Sequence, residues 1–137
     1  NIDELVGLLG WPLGDAAYAA SGGETLSAIP LAREAKIDEG LDRSQIQSTI
    51  MRYLSQVRAC YEEGLKRNQA LIGQVTVGFE VGSSGMLNYS QVQRTSLSDR
   101  PVEECIRTKM MTWKFPQPRG GVNVKVSYPF MLRPLKS

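Results

Sequence analysis

A switch in hydrophobic period constrains this chain more than any other feature. Ile46, Ile50, Leu54, Val57, Tyr61 and Leu65 recur at helical spacing, which lays one apolar stripe along a long helix. Shortly after it, Val75, Val77, Phe79 and Val81 alternate with Gln74, Thr76, Gly78 and Glu80, and such alternation marks a strand with one buried face. Gly82-Ser83-Ser84-Gly85 has the length and chemistry of a hairpin turn, so Met86 to Thr95 should return antiparallel. Leu87, Tyr89 and Val92 break strict alternation there, and a bulge between Tyr89 and Val92 would restore it. The helical period returns in Val102, Cys105, Ile106, Met110 and Trp113, and the strand period in Val122, Val124, Val126, Tyr128 and Phe130. The order α-β-β-α-β predicts an α+β fold with two helices packed on one face of a small antiparallel three-stranded sheet. Val57, Tyr61, Val77, Phe79, Ile106, Trp113, Val124 and Val126 form its expected core.

Local signals agree with this order. Asp42 with Gln45, or Ser44 with Gln47, fits a capping box ahead of the first helix. Asn68 suits a left-handed stop after it, and Gly64 is a mild blemish within it. Pro101 suits the first turn of the second helix, and Glu103 and Glu104 favour the positive end of its dipole. Pro116 and Pro118 end that helix.

The residues before Lys36 are of another kind. Ile2, Leu5, Val6 and Leu9 have helical spacing, Gly10-Trp11-Pro12 would stop such a helix, and residues 14–23 are small and linker-like. Leu26 to Leu31 suits an extended segment. Residues 1–40 carry seven acidic and two basic side chains, while residues 41–137 carry seven acidic and fourteen basic ones. The division predicts an acidic, partly flexible arm over residues 1–36 and a folded domain over residues 37–137. A basic domain suits nucleic acid, an anionic envelope polymer or an acidic partner, but the basic residues are scattered, which favours a plain solvated surface. No stretch approaches the roughly 18 apolar residues of a membrane span. A chain that starts at Asn1 is expected to be a fragment or processed product, so a missing signal peptide says little about the parent.

The composition argues against catalysis. The chain has no His, the commonest general base and metal ligand. No P-loop, GxGxxG or GxSxG occurs. Glu62-Glu63 and Glu103-Glu104 are neighbours that diverge on a helix, so they read as solvated or dipole-paired carboxylates. No enzyme activity, cofactor or metal is expected. Arg52, Tyr53, Arg58 and Tyr61 cluster on the first helix, but no nucleic-acid-binding signature accompanies them, and Tyr61 belongs to the apolar stripe.

Several short motifs carry a resemblance. They are Gly40-Leu41-Asp42, Val57-Arg58-Ala59-Cys60-Tyr61-Glu62, Gly73-Gln74-Val75-Thr76-Val77, Val102-Glu103-Glu104-Cys105-Ile106, Trp113-Lys114-Phe115-Pro116 and Val126-Ser127-Tyr128-Pro129-Phe130. In this order they resemble the TonB C-terminal domain superfamily and, more closely, the AgmX/PglI C-terminal domain of gliding-motility and envelope proteins. The resemblance covers about residues 40–134, and Ser84-Gly85 stands where that family usually has Asp-Gly at the hairpin. It implies a periplasmic domain at the end of an inner-membrane-anchored protein with a periplasmic stem. Such a protein reaches the outer membrane, or a partner bound to it, and transmits work driven by the proton gradient. The expected function is therefore a non-catalytic protein–protein interaction domain of a force- or energy-transducing envelope machine of the gliding-motility kind. The alternative is a structural module that binds peptidoglycan or stabilises an envelope assembly.

Two features bear on that expectation. Cys60 and Cys105 lie on or beside the apolar faces of the two helices. A Cys60–Cys105 disulfide linking the two helices is expected, since an extracytoplasmic compartment permits it; the alternative is two separate buried thiols. The last strand is the candidate docking edge, because a small antiparallel sheet leaves an edge that recruits further strands. Its residues are Val122, Asn123, Val124, Lys125, Val126, Ser127 and Tyr128. An outer-membrane-associated or periplasmic protein, the acidic arm, or a second copy forming a homodimer would each satisfy it.

Overall fold

Helix and strand fall where the two periods place them. The computed structural model describes Leu26–Pro134. The helix expected over Ile2 to Leu9 and the linker over residues 14–23 lie outside those residues. The described elements are β1 (Leu26–Pro30), β2 (Lys36–Ile37), α1 (Arg43–Arg52), α2 (Leu54–Arg67), β3 (Gly73–Val81), β4 (Leu87–Thr95), α3 (Arg100–Met110) and β5 (Val124–Pro134), with single 3-10 turns at Ala32–Glu34 and Arg119–Gly121. The class is α+β, as the periods imply. All eight expected core residues are buried.

The sheet differs from the expected one. It has five strands in the order β1-β5-β3-β4, with β2 also on β5. The pairs β2–β5, β3–β4 and β3–β5 are antiparallel. The two extra strands come from the segment read as an arm, and the compact unit runs from Ala28 to Arg133. Ala28 and Ala35 are core residues, and small side chains let their backbone lie close against the sheet.

The long first helix is two helices, and the described chain has three. Tyr53 separates α1 from α2 with φ −105° and ψ 9°. Its ring stacks on Trp113 at 5.0 Å between centroids and 9° between planes. Its hydroxyl accepts a bond from the Lys114 backbone N–H at 3.2 Å, and Trp113 Nε1 donates to Gln56 Oε1 at 2.9 Å. These contacts hold the loop after α3 against the joint. At the start of α1 the Asp42–Gln45 option is realised, with the Asp42 N–H donating to Gln45 Oε1 at 2.9 Å. Asn68 ends α2 in an extended conformation rather than a left-handed one, with φ −149°, and its side chain instead accepts from the Ala70 N–H at 3.0 Å. Gly64 is not a blemish. A Cβ there would run into Val102 and Leu71, so glycine permits the close approach of α2 to α3.

The hairpin forms at Gly82–Gly85, with the Gly85 N–H donating to Gly82 O at 2.9 Å. Gly85 takes a φ of 95°, which glycine adopts without strain. The bulge placed between Tyr89 and Val92 is not there. Those four residues pair regularly with Val77 to Glu80, and the register shifts fall on either side, at Asn88 and Gln93. Two extra residues leave Leu87, Ser90, Val92 and Thr95 on the same face as Val81, Phe79, Val77 and Val75. That face carries the core, under α2 and α3.

Candidate functional site

The disulfide Cys60–Cys105 is present and ties α2 to α3, with 5.7 Å between the Cα atoms. Cys60 follows Val57 on the buried side of α2. Cys105 is half-buried on α3 beside Ile106. Nearby, Tyr61 donates its hydroxyl to Leu71 O at 2.5 Å, and burial pushes that hydroxyl above its ordinary pKa.

The expected docking edge is occupied. Lys36 pairs with Ser127 and Ile37 with Val126. The Leu31 N–H donates to Pro129 O at 3.0 Å and the Asp38 N–H to Lys125 O at 3.0 Å. Of the seven residues proposed for docking, Val124, Val126 and Tyr128 are core, and Val122 and Asn123 are exposed ahead of the strand. Lys125 and Ser127 face away from the helices, where the Ser127 hydroxyl donates to Gln93 Oε1 at 2.6 Å. β5 is thus an interior strand, because the chain's own residues 26–38 satisfy the backbone groups that a partner would have met.

One side chain fastens this cover. Arg43 Nη1 donates to Ala32 O at 2.6 Å and to Ala35 O at 2.7 Å, gripping the turn between β1 and β2 from the start of α1. The Tyr128 hydroxyl is buried without a hydrogen-bond partner. Burial pushes its pKa up, and the Arg43 charge opposes this in part. No local signal in the sequence marks Arg43 for this role, since both acceptors belong to a turn that has no pattern of its own.

On the other side of the sheet, no strand follows β4 among the described residues. Between its outer edge and α3 runs a groove of about 520 Å³, lined by Gln91, Val92 and Thr95 from β4, by Ser98, and by Arg100, Glu103, Glu104 and Arg107 from α3. The Glu103 carboxylate is committed: it accepts from Thr95 Oγ1 at 2.8 Å and from the Asp99 N–H at 3.2 Å. Arg107 pairs with Glu104 at 2.9 Å, and Arg67 with Asp99 at 2.8 Å. Arg100, and Arg94 near the same end of β4, have no carboxylate partner among the described residues. The groove therefore presents the outer edge of β4, which has no strand partner among the described residues, with Val92 on its floor and two arginines and two glutamates on its wall.

Among the described residues, no cluster of His, Cys, Asp and Glu could hold a metal ion, and no helix is long and apolar enough to cross a membrane. Comparison with known protein families, with curated proteins and with solved structures finds no match.

Proposed function

We propose that this chain is a non-catalytic periplasmic interaction domain of an inner-membrane-anchored, TonB-like force- or energy-transducing envelope protein of the gliding-motility kind. It takes an outer-membrane-associated partner by strand addition. The observation that carries this reading is the open β4 edge beside α3, on a sheet whose other side the chain covers with its own β1 and β2. Edge strands left unpaired beside a helix suit an extended peptide, because backbone bonds supply affinity and alternate side chains supply selectivity. The Cys60–Cys105 disulfide supports an oxidising compartment. It also makes the two helices a rigid platform through which a pull on the domain would reach the sheet.

Photo-crosslinking in the native host tests the reading. A crosslinking residue at Gln91 should give adducts with an envelope protein, whereas one at the exposed Arg52 on α1 should not. Adducts with cytoplasmic proteins, or none at Gln91, would refute it. Sedimentation of the purified chain with peptidoglycan, unaffected by changes at β4, would favour the structural module instead.

A further inference from the structure

We infer that two copies of this chain exchange residues 26–38, so that the strand cover of each copy lies on β5 of the other. The inference does not involve β4 and stands apart from the strand addition proposed there. The slot under the cover is built for one kind of segment. Ala28 and Ala35 are buried in it, so it takes small side chains at those two positions. Arg43 clamps the carbonyls of Ala32 and Ala35, and β5 holds the Leu31 and Asp38 N–H groups through Pro129 O and Lys125 O. All these contacts join the cover to residues that follow the turn into α1. A second copy offers the same segment and therefore the same contacts, which is why exchange of an identical element is a low-cost route to a dimer. An unrelated strand would have to reproduce both alanines and the turn between them.

The connection to α1 favours the exchange. The last bond of the cover is donated by the Asp38 N–H, and the first bond beyond it is accepted by Gly40 O, from the Arg119 N–H at 2.9 Å. Only Glu39 lies between these two anchors. Gly40 has a φ of 121°, and a Cβ there would run into Val124 and Val122, so the chain turns from strand to helix in a space that glycine alone fits. In an exchanged pair this turn opens, and so short a hinge invites the opening. Val122 lies beside Gly40 and is 45% exposed. The two hinges of a twofold pair run past each other, which covers this apolar side chain as the single copy does not.

Two single variants of the full chain, Lys36→Cys and Ser127→Cys, test the inference when mixed. The two residues are Cα partners across β2 and β5, so a disulfide joins the two variants only where a cover has changed copies. After incubation at high concentration in a thiol–disulfide buffer, mass spectrometry should find positions 36 and 127 of different copies linked. Arg52→Cys, on the exposed side of α1, mixed with Ser127→Cys should give no such product. Adding Arg43→Met to both chains should leave the final yield unchanged, because a cover loses the same two bonds on either copy. The product should form about thirtyfold faster, the effect of losing two partly exposed charge-assisted hydrogen bonds. Inserting Gly-Ser-Gly after Glu39 lets the cover close on its own copy and should remove most of the product. The wild-type chain gives a readout without new cysteines: sedimentation equilibrium should show a dimer whose Leu31 and Asp38 amides stay as protected from exchange as in the monomer. Linkage no greater than in the Arg52→Cys control would overturn the inference. So would a yield indifferent to the longer hinge, a rate indifferent to Arg43→Met, or a dimer in which Leu31 and Asp38 lose protection.

Discussion

Arg43→Met tests whether the cover over β5 is held by one side chain. The substitution keeps the apolar stem and removes both donors to Ala32 O and Ala35 O. Hydrogen bonds from a charged donor contribute about 1.5–3 kcal/mol each when sheltered. The Ala32 bond is exposed and the Ala35 bond only partly buried, so about 2 kcal/mol for the pair is the appropriate scale. This shifts the equilibrium between closed and lifted cover by about thirtyfold, since 1.4 kcal/mol is a factor of ten. Amide exchange reads the shift directly at Leu31 and Asp38, whose N–H groups donate to Pro129 O and Lys125 O. Both should exchange about thirtyfold faster in the variant. In the wild-type chain they should already exchange faster than the Val77 amide at the sheet centre, because a short cover opens before the whole unit does. Unchanged exchange at Leu31 and Asp38 would mean that Arg43 does not hold the cover. Exchange at these two sites as slow as at Val77 would mean that the β5 edge is exposed only by global unfolding, which excludes it as a docking site.

The disulfide closes a loop with a sequence separation of 45. In the chain-entropy account its loss costs about 4 kcal/mol, so Cys60→Ala with Cys105→Ala should lower Tm by roughly 15 °C, and a calorimetric change under 3 °C would contradict this. Ile106→Ala should cost about 2–5 kcal/mol in denaturant titration, since Ile106 is fully buried, while Arg52→Ala on the exposed side of α1 should cost under about 0.5 kcal/mol; equal losses would show that the helix faces are misassigned. Tyr61 and Tyr128 both hold their protons above the ordinary 10.0. Below that pH neither folded nor unfolded chain is ionised and the folded state keeps its full stability. Above it the unfolded chain loses protons that the fold retains, so stability falls as pH rises. Of the five tyrosines, these two should ionise at higher pH than tyrosines with exposed hydroxyls when followed at 295 nm, and a spectrum in which all five titrate together in the native state would refute their burial.

Much of the fold was legible because burial is written in local periodicity. The alternation of Val75 to Val81 and of Val124 to Phe130 marks inward faces that the structure shares, and Val102, Ile106 and Met110 mark the inner side of α3. The joint at Tyr53 was not legible. The apolar stripe runs through it without a gap, and the ring that holds it open belongs to Trp113, far along the chain. Nor were the bulges at Asn88 and Gln93, since polar residues on an edge strand give no sign of which one lies outside the ladder. Gly64 reads locally as a weak helix former and structurally as the contact point with Val102.

The sequence by itself determined which side chains go inside, which helix faces meet the sheet and that Cys60 and Cys105 can come together. These follow from spacing along a single element, where the geometry of helix and strand leaves few choices. Only the tertiary structure decided which edge of the sheet stays open. Leu26 to Leu31 reads as extended and becomes β1, but nothing local names its partner strand, and β2 is only two residues long. Both become strands because β5 offers backbone donors and acceptors that water and competing segments satisfy less well. Strand partnership is a competition among distant parts of the chain for the same hydrogen bonds. Its outcome moved the candidate site from Val122–Tyr128 to the groove between β4 and α3.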